Sequence, residues 1–314
     1  MPSYFTIFSA TLPVFLVMGV GFLFHRRGWL GEEVEVGVMK LGLNLLFPCF
    51  ILSIVPGNPA LETISSSLWA IGIGFALIVA AIGIAWIVAS AGRIRRGEGK
   101  RTFAISAGIQ NYGFVALPVI AALYPDNPGP AGLVFVHGIG VELAMWTIGM
   151  AVMCGHAGFR SIINGPFLAV MAALLLNYTG LHAYIPGIVS KVMEMLGNCA
   201  IPMAIFMIGA TIGRYFTTEI FHDAFRVSLL SVIVRLGLAA FLILCAAKFL
   251  PLPVDLKRLL IVQAAMPAAV FPIALARLYG GQPQVAIQVV LATSLVGIVT
   301  APLVIAWGLG WVEV

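Results

Sequence analysis

Gln110-Asn111-Tyr112-Gly113-Phe114-Val115-Ala116-Leu117-Pro118 lies in the middle of an otherwise apolar stretch, and Gln263-Ala264-Ala265-Met266-Pro267-Ala268-Ala269-Val270-Phe271-Pro272 holds a matching place later in the chain. Each segment opens on a glutamine and closes on a proline, at offsets of 153 and 154 residues. A proline inside a helix removes one backbone hydrogen bond and clashes with the preceding turn. In hydrocarbon no water replaces the lost bond, so such a break is tolerated only against protein or a wet cavity. A simple kink explains either segment alone. Two matched breaks flanked by amides read instead as a binding site, with Gln110, Asn111, Tyr112, Gly113, Gln263 and Pro267 as candidates and Pro118 and Pro272 as the hinges.

The same offset recurs elsewhere. Asn44 and Pro48 match Asn198 and Pro202 at 154, Tyr124 matches Tyr279 at 155, and Pro13 matches Pro166 at 153. Both asparagines have a charged residue four places earlier, Lys40 and Glu194, which snorkelling to the interface explains without function. Asn44 and Asn198 fit interhelical pairing as well as substrate binding, with Pro48 and Pro202 as a second pair of hinges. The repeat divides the chain into residues 1–154 and 155–314.

Composition places these segments in a membrane. The chain of 314 residues is 61% hydrophobic and only 9% charged, with a mean hydropathy of +1.08. A soluble domain is about a quarter charged. Apolar runs of about 20 residues span a ~30 Å hydrocarbon core as helices. Hydropathy and turn signals predict ten spans, over 5–24, 35–55, 67–91, 102–123, 131–153, 166–185, 189–213, 224–248, 256–278 and 284–308. Five spans per half is an odd number, so the second half enters the bilayer upside down relative to the first. Inverted repeats of this kind are a construction of secondary transporters. With the N-terminus outside, the inner side receives Arg26, Arg27, Lys40, Arg93, Arg95, Arg96, Lys100, Arg101, Arg160, Arg214, Arg226 and Arg277, against Lys191, Lys248, Lys257 and Arg258 outside. Positive residues favour the cytoplasm, so both termini are expected outside. The net charge of +5 does not cluster on a soluble face, which excludes a nucleic-acid partner, and the four cysteines show no CxxC spacing.

Asn111-Tyr112-Gly113-Phe114-Val115-Ala116-Leu117-Pro118, together with Ala265-Met266-Pro267-Ala268-Ala269-Val270 and Ala276-Arg277-Leu278-Tyr279-Gly280-Gly281, resembles the auxin efflux carrier family, which includes plant auxin exporters and bacterial permeases for malonate and malate. The resemblance covers essentially the whole chain, and its short central loop is like that of a bacterial member. It implies an all-α integral membrane fold of ten helices in two inverted five-helix repeats, with broken helices 4 and 9 crossing, as in bile-acid symporters and sodium/proton antiporters. It further implies a dimerising scaffold from helices 1, 2, 6 and 7 and a transport domain from helices 3–5 and 8–10 moving as an elevator in the bacterial cytoplasmic membrane. In the plant relatives the substrate lies near asparagines on spans two and seven, which Asn44 and Asn198 match. The plant Asn-Pro-Asn-Thr-Tyr stretch is replaced here by Gln110-Asn111-Tyr112-Gly113, which favours a small organic anion such as a carboxylate over auxin.

Glu142 and Arg235 are the clear charges near the middle of spans, and intramembrane charges are functional candidates by default. They fit a buried pair joining spans five and eight, or a proton-accepting Glu142 that couples transport to a gradient. His137 reads as a hydrogen-bonded structural histidine. Gly209-Ala210-Thr211-Ile212-Gly213 fits a close helix contact. No HExxH, GxSxG or Gly-x-Gly-Asp sequence is present, so no enzyme is expected. No cofactor is expected either, with protons or sodium as the possible coupling ions. A cation/proton antiporter of the same fold is the alternative function, and it usually needs carboxylates where these breaks carry amides.

Overall fold

The computed structural model describes residues 4–61, 63–154, 165–216 and 225–313. Arg160, counted above among the inner charges, and the boundary between 154 and 155 lie at or beyond the edge of those residues. The described chain is helical: α1 Tyr4–Arg26, α2 Glu33–Ile54, α3 Ile64–Ala91, α4 Lys100–Gly108, α5 Ala116–Leu123, α6 Gly129–Met153, α7 Gly165–Thr179, α8 Gly187–Tyr215, α9 Phe225–Phe249, α10 Val254–Ala265, α11 Phe271–Leu278 and α12 Pro283–Val312. Seven of these, α1, α2, α3, α6, α8, α9 and α12, are long and apolar enough to cross a membrane, and α7 is a shorter apolar helix. Large apolar side chains stand exposed on the outer face of the long helices, among them Phe5, Leu68, Ile188, Phe241 and Leu303. A helix apolar on all sides needs hydrocarbon around it. This is a multi-pass membrane protein.

Two of the ten expected spans are not continuous. Residues 109–115 separate α4 from α5, and residues 266–270 separate α10 from α11. The prolines sit slightly differently from the expected hinges. Pro118 and Pro272 lie in the first turns of α5 and α11, Pro48 lies just after a π-turn at Gly42–Leu46 in α2, and Pro202 lies just after a two-residue turn at Asn198 and Cys199 within α8. A first-turn N–H has no helical acceptor, so proline there restarts a helix without losing a bond. The breaks therefore fall upstream of all four prolines. The helix expected over 166–185 ends early at Thr179, where Gly180 turns left-handed (φ 71°). There Asn177 clamps the loop between α2 and α3, accepting from Gly57 N–H at 2.8 Å and donating to Leu61 O at 2.7 Å.

Three helices contain a π-turn, at Gly42–Leu46 in α2, Met145–Gly149 in α6 and Ile233–Leu238 in α9. An inserted residue of this kind shifts the helical faces and is frequent at functional sites. Asn44, Trp146 and Arg235 lie within these turns.

α1 packs closely along the second half of α8. A Cβ on Gly209 would collide with the Met18 carbonyl, and one on Gly21 with the Phe206 carbonyl. The Gly209–Gly213 stretch is thus a close helix contact. At its Gly213 end Glu35, 3% exposed, accepts from His25 Nδ1 at 2.8 Å and pairs with Arg214. Two apolar cores fill the interior. One takes in Val115–Leu117 and Ala264–Met266, and the other Ala107, Ile109, Ala268 and Ala269. The breaks lie on the boundary between them.

Candidate functional site

The two breaks satisfy each other. Asn111 N–H donates to Pro267 O at 2.8 Å, and Ala269 N–H donates to Ile109 O at 2.9 Å, which sets Gln110 opposite Ala268 in a short antiparallel bridge. Pairing is the cheapest outcome for backbone groups freed from a helix inside hydrocarbon. Strand-like pairing turns every second N–H outward, so Ala268 N–H points away from the ladder. Thr293 Oγ1 on α12 accepts it at 3.1 Å and itself donates to Val289 O at 2.7 Å.

Side chains extend the connection. Gln263 Nε2, on the last turn of α10, donates to Tyr112 O at 2.7 Å, while its Oε1 is buried without a partner. Tyr112 N–H turns back to Gln110 O at 2.8 Å. Its ring lies over Gly138 on α6, where a Cβ would come within 2.7 Å of ring carbon Cε2. The phenol O–H donates to Glu142 Oε1 at 2.8 Å, and Trp146 Nε1–H donates to Glu142 Oε2 at 2.9 Å. Trp146 meets the ring of Phe271, the first residue of α11, edge-on at 5.8 Å between centroids. Glu142 is therefore tied to both broken segments.

Arg235 reaches the same place from α9. It is fully buried, and its Nη1 donates to Gly108 O at 3.4 Å and Gln110 Oε1 at 3.3 Å. Gly108 ends α4, and the carbonyl end of a helix carries partial negative charge that favours a cation. Nε and Nη2 have no partner. The expected Glu142–Arg235 pair is not formed, because Tyr112 and Trp146 satisfy the carboxylate while the guanidinium turns to α4 and Gln110. Among the described residues no carboxylate pairs with Arg235.

The remaining candidates divide. Gln110, Asn111, Tyr112, Gly113, Gln263 and Pro267 come together at the breaks. The Asn111 side chain, on a residue 4% exposed, engages no other described residue. Asn44 and Asn198 do not join them by hydrogen bonds. Both are exposed, and Asn44 Nδ2 donates to Lys40 O of its own helix at 2.9 Å. One turn further, Phe47 meets Phe114 of the first break at 5.1 Å between centroids, so α2 touches the site just beyond Asn44. His137 is not the expected hydrogen-bonded histidine: it is fully buried against Gly74 and neither ring nitrogen has a partner. Sequence reasoning missed Thr293 and Trp146. The i,i+4 spacing of Glu142 and Trp146 places them on one helix face and was the available signal. Among the described residues no cluster of His, Cys, Asp and Glu side chains could hold a metal ion.

A polar centre built from two interrupted helices in a multi-pass membrane protein is the architecture of a carrier. The chain matches the Membrane transport protein family over residues 6–160 and 150–305. It belongs to this auxin efflux carrier-type family of membrane transporters. No curated protein matches it. Membership makes transport, and not catalysis, the activity to be explained by this carrier's broken helices.

Proposed function

We propose that this carrier moves a small organic anion, such as a carboxylate, across the bacterial cytoplasmic membrane by alternating access. Arg235 carries the reading. A fully buried guanidinium with two unpartnered nitrogens and no carboxylate partner costs several kcal/mol unless an anion joins it. It stands where the two breaks meet, bonded to Gln110 of the first. The cargo's carboxylate completes the set of partners, with Gln110, Asn111, Tyr112 and Gln263 around it. The amide-rich breaks weigh against a cation/proton antiporter, which needs a free carboxylate there.

The proposal includes the larger framework. Residues 1–154 and 155–314 form two inverted five-helix repeats, with both termini outside. The scaffold is drawn from α1, α2, α7 and α8 and forms a homodimer, and the two broken helices ride with α3, α6, α9 and α12 as an elevator. Pairing of the breaks through backbone bonds supports their movement as one unit. Asn44 and Asn198 line the scaffold side of the path, and protons or sodium supply the coupling.

The test is flux. Proteoliposomes holding the wild-type protein are expected to take up radiolabelled malonate or malate, and those holding Arg235→Gln are expected not to. Transport of no organic anion by the wild type overturns the proposal, as does full uptake by the variant.

A further inference from the structure

Glu142 poses a question that the anion site does not answer. Its carboxylate lies within a membrane span beside a site read as binding anions, and no cation pairs with it among the described residues. Both its oxygens are engaged, by two different kinds of donor. An indole N–H only donates, so Oε2 cannot offer a proton towards Trp146. A phenol both donates and accepts, so Oε1 can carry a proton and keep its contact with Tyr112.

The geometry limits what moves when it does. The Tyr112 ring is held over Gly138, its carbonyl is held by Gln263 and its N–H by Gln110 O. Only the phenol hydrogen is free to rotate. Once Glu142 Oε1 bears a proton, that O–H donates to Tyr112 Oη, and the phenol hydrogen must leave the carboxylate. It becomes a free donor on a residue of the first break.

Other groups around Glu142 do not interfere. On α6 itself, His137 faces Gly74 of α3. α3 and α5 carry no ionisable side chain. On α10 Asp255, Lys257 and Arg258 sit in the first turn and a half, about two to three helical turns from the break-side end. The part of α2 packed on α6, Phe47–Ile54, contributes Cys49, while Glu35 is held by His25 and Arg214; α7 contributes Tyr178, neither it nor Cys49 bonded to Glu142, and Arg235 on α9 is turned to Gly108 and Gln110. Tyr112 is the ionisable group that touches it.

We propose that Glu142 is the proton site of this carrier and that the Tyr112 hydroxyl is a donor to the cargo carboxylate only while Glu142 is protonated, so that one proton travels with each monoanion. The inference rests on the anion-carrier reading. The step balances: a proton from water adds to Glu142 Oε1, no other covalent bond changes, and the Tyr112 hydrogen exchanges one acceptor for another. The loaded centre, with neutral Glu142 and a bound monoanion, has the same charge as the empty centre with ionised Glu142. Each crossing therefore meets the same electrostatic barrier, and the cycle moves no net charge.

Infrared difference spectroscopy of the purified protein, without any cargo, tests the proton site. Raising the pH from about 5 to 9, the range that brackets a functional proton site, is expected to remove a protonated-carboxyl band and shift the phenol band of Tyr112. Glu142→Gln should abolish the first change and Tyr112→Phe the second. Binding of a monocarboxylate such as lactate, fully ionised across this range, is the second measurement. In the wild type its affinity should fall about tenfold per pH unit once Glu142 ionises, and one proton should be taken up per anion bound. In Glu142→Gln the amide N–H₂ replaces the carboxyl O–H, so binding should be tight, independent of pH and free of proton uptake. Tyr112→Phe should bind weakly at every pH. Absence of the carboxyl band, or a wild-type affinity flat in pH, overturns the proton proposal. A titrating band in a protein that binds and moves no organic anion removes the anion-carrier reading, and with it the claim that Tyr112 serves a cargo, while the proton site stands.

Discussion

Replacing Thr293 with valine tests whether the breaks are held as described. The substitution keeps the shape of the side chain and removes one hydroxyl. Ala268, 1% exposed, then has a backbone N–H with no acceptor, because the ladder bonds run from Asn111 N–H to Pro267 O and from Ala269 N–H to Ile109 O and leave the Ala268 N–H pointing at Thr293. Thr293 is itself fully buried, so water does not take over. A buried donor stripped of its acceptor costs about 1–3 kcal/mol. Loss of the hydroxyl's own bond to Val289 O adds little, since that carbonyl already serves the α12 helix. The cost falls on local opening of residues 266–270, so amide exchange there should quicken about 5- to 150-fold. Hydrogen exchange read by mass spectrometry measures this directly, with Ser294→Ala, the next residue on α12, as the control that should leave the segment unchanged. Equal exchange in Thr293→Val and wild type would refute the pairing.

Other outcomes follow from the same contacts. Arg235→Gln should raise the melting temperature of the cargo-free protein, because it removes a buried charge that lacks a counter-ion, while abolishing malonate-induced stabilisation; a lower melting temperature with the ligand shift intact would contradict this. Asn111→Ala and Gln263→Ala should each abolish uptake in proteoliposomes yet elute from a sizing column as the wild type does, and full activity in both would reduce the breaks to structural kinks. Gly209→Ala drives a Cβ into the Met18 carbonyl and should lower the yield of folded protein, whereas Gly19→Ala, which meets nothing within 4 Å, should leave it unchanged or improved. Thermal unfolding in detergent separates the two.

The helical membrane class was legible from composition alone, since a chain so poor in charge has no way to build a water-facing surface. The paired breaks were legible too, because glutamine and proline in the middle of an apolar run are costly and seldom recur at one spacing by chance. Their detail was not. The prolines mark where helices restart, and the irregular backbone lies before them, a distinction that depends on which N–H groups lack acceptors. The charges read as exceptional, and of the two readings left open for them the direct pair is not formed. Glu142 and Arg235 both reach the breaks, yet opposite charge said nothing about whether Tyr112, Trp146, Gly108 and Gln110 would claim them first. Asn44 and Asn198 show the converse: a clear repeat in the sequence, and side chains left exposed on their own helices.

Residue types along the chain therefore settle the solvent, the helices and the places where helices fail, because each depends on neighbours within a few residues. Who satisfies whom at those failures is settled in three dimensions. The bridge between 109–111 and 267–269, the Thr293 acceptor and the Glu142–Tyr112 contact join residues 25 to 160 positions apart. Three π-turns rotate the faces that helical periodicity assigns. Hydrogen bonds are short-ranged and directional, and only the packed chain brings their two ends together.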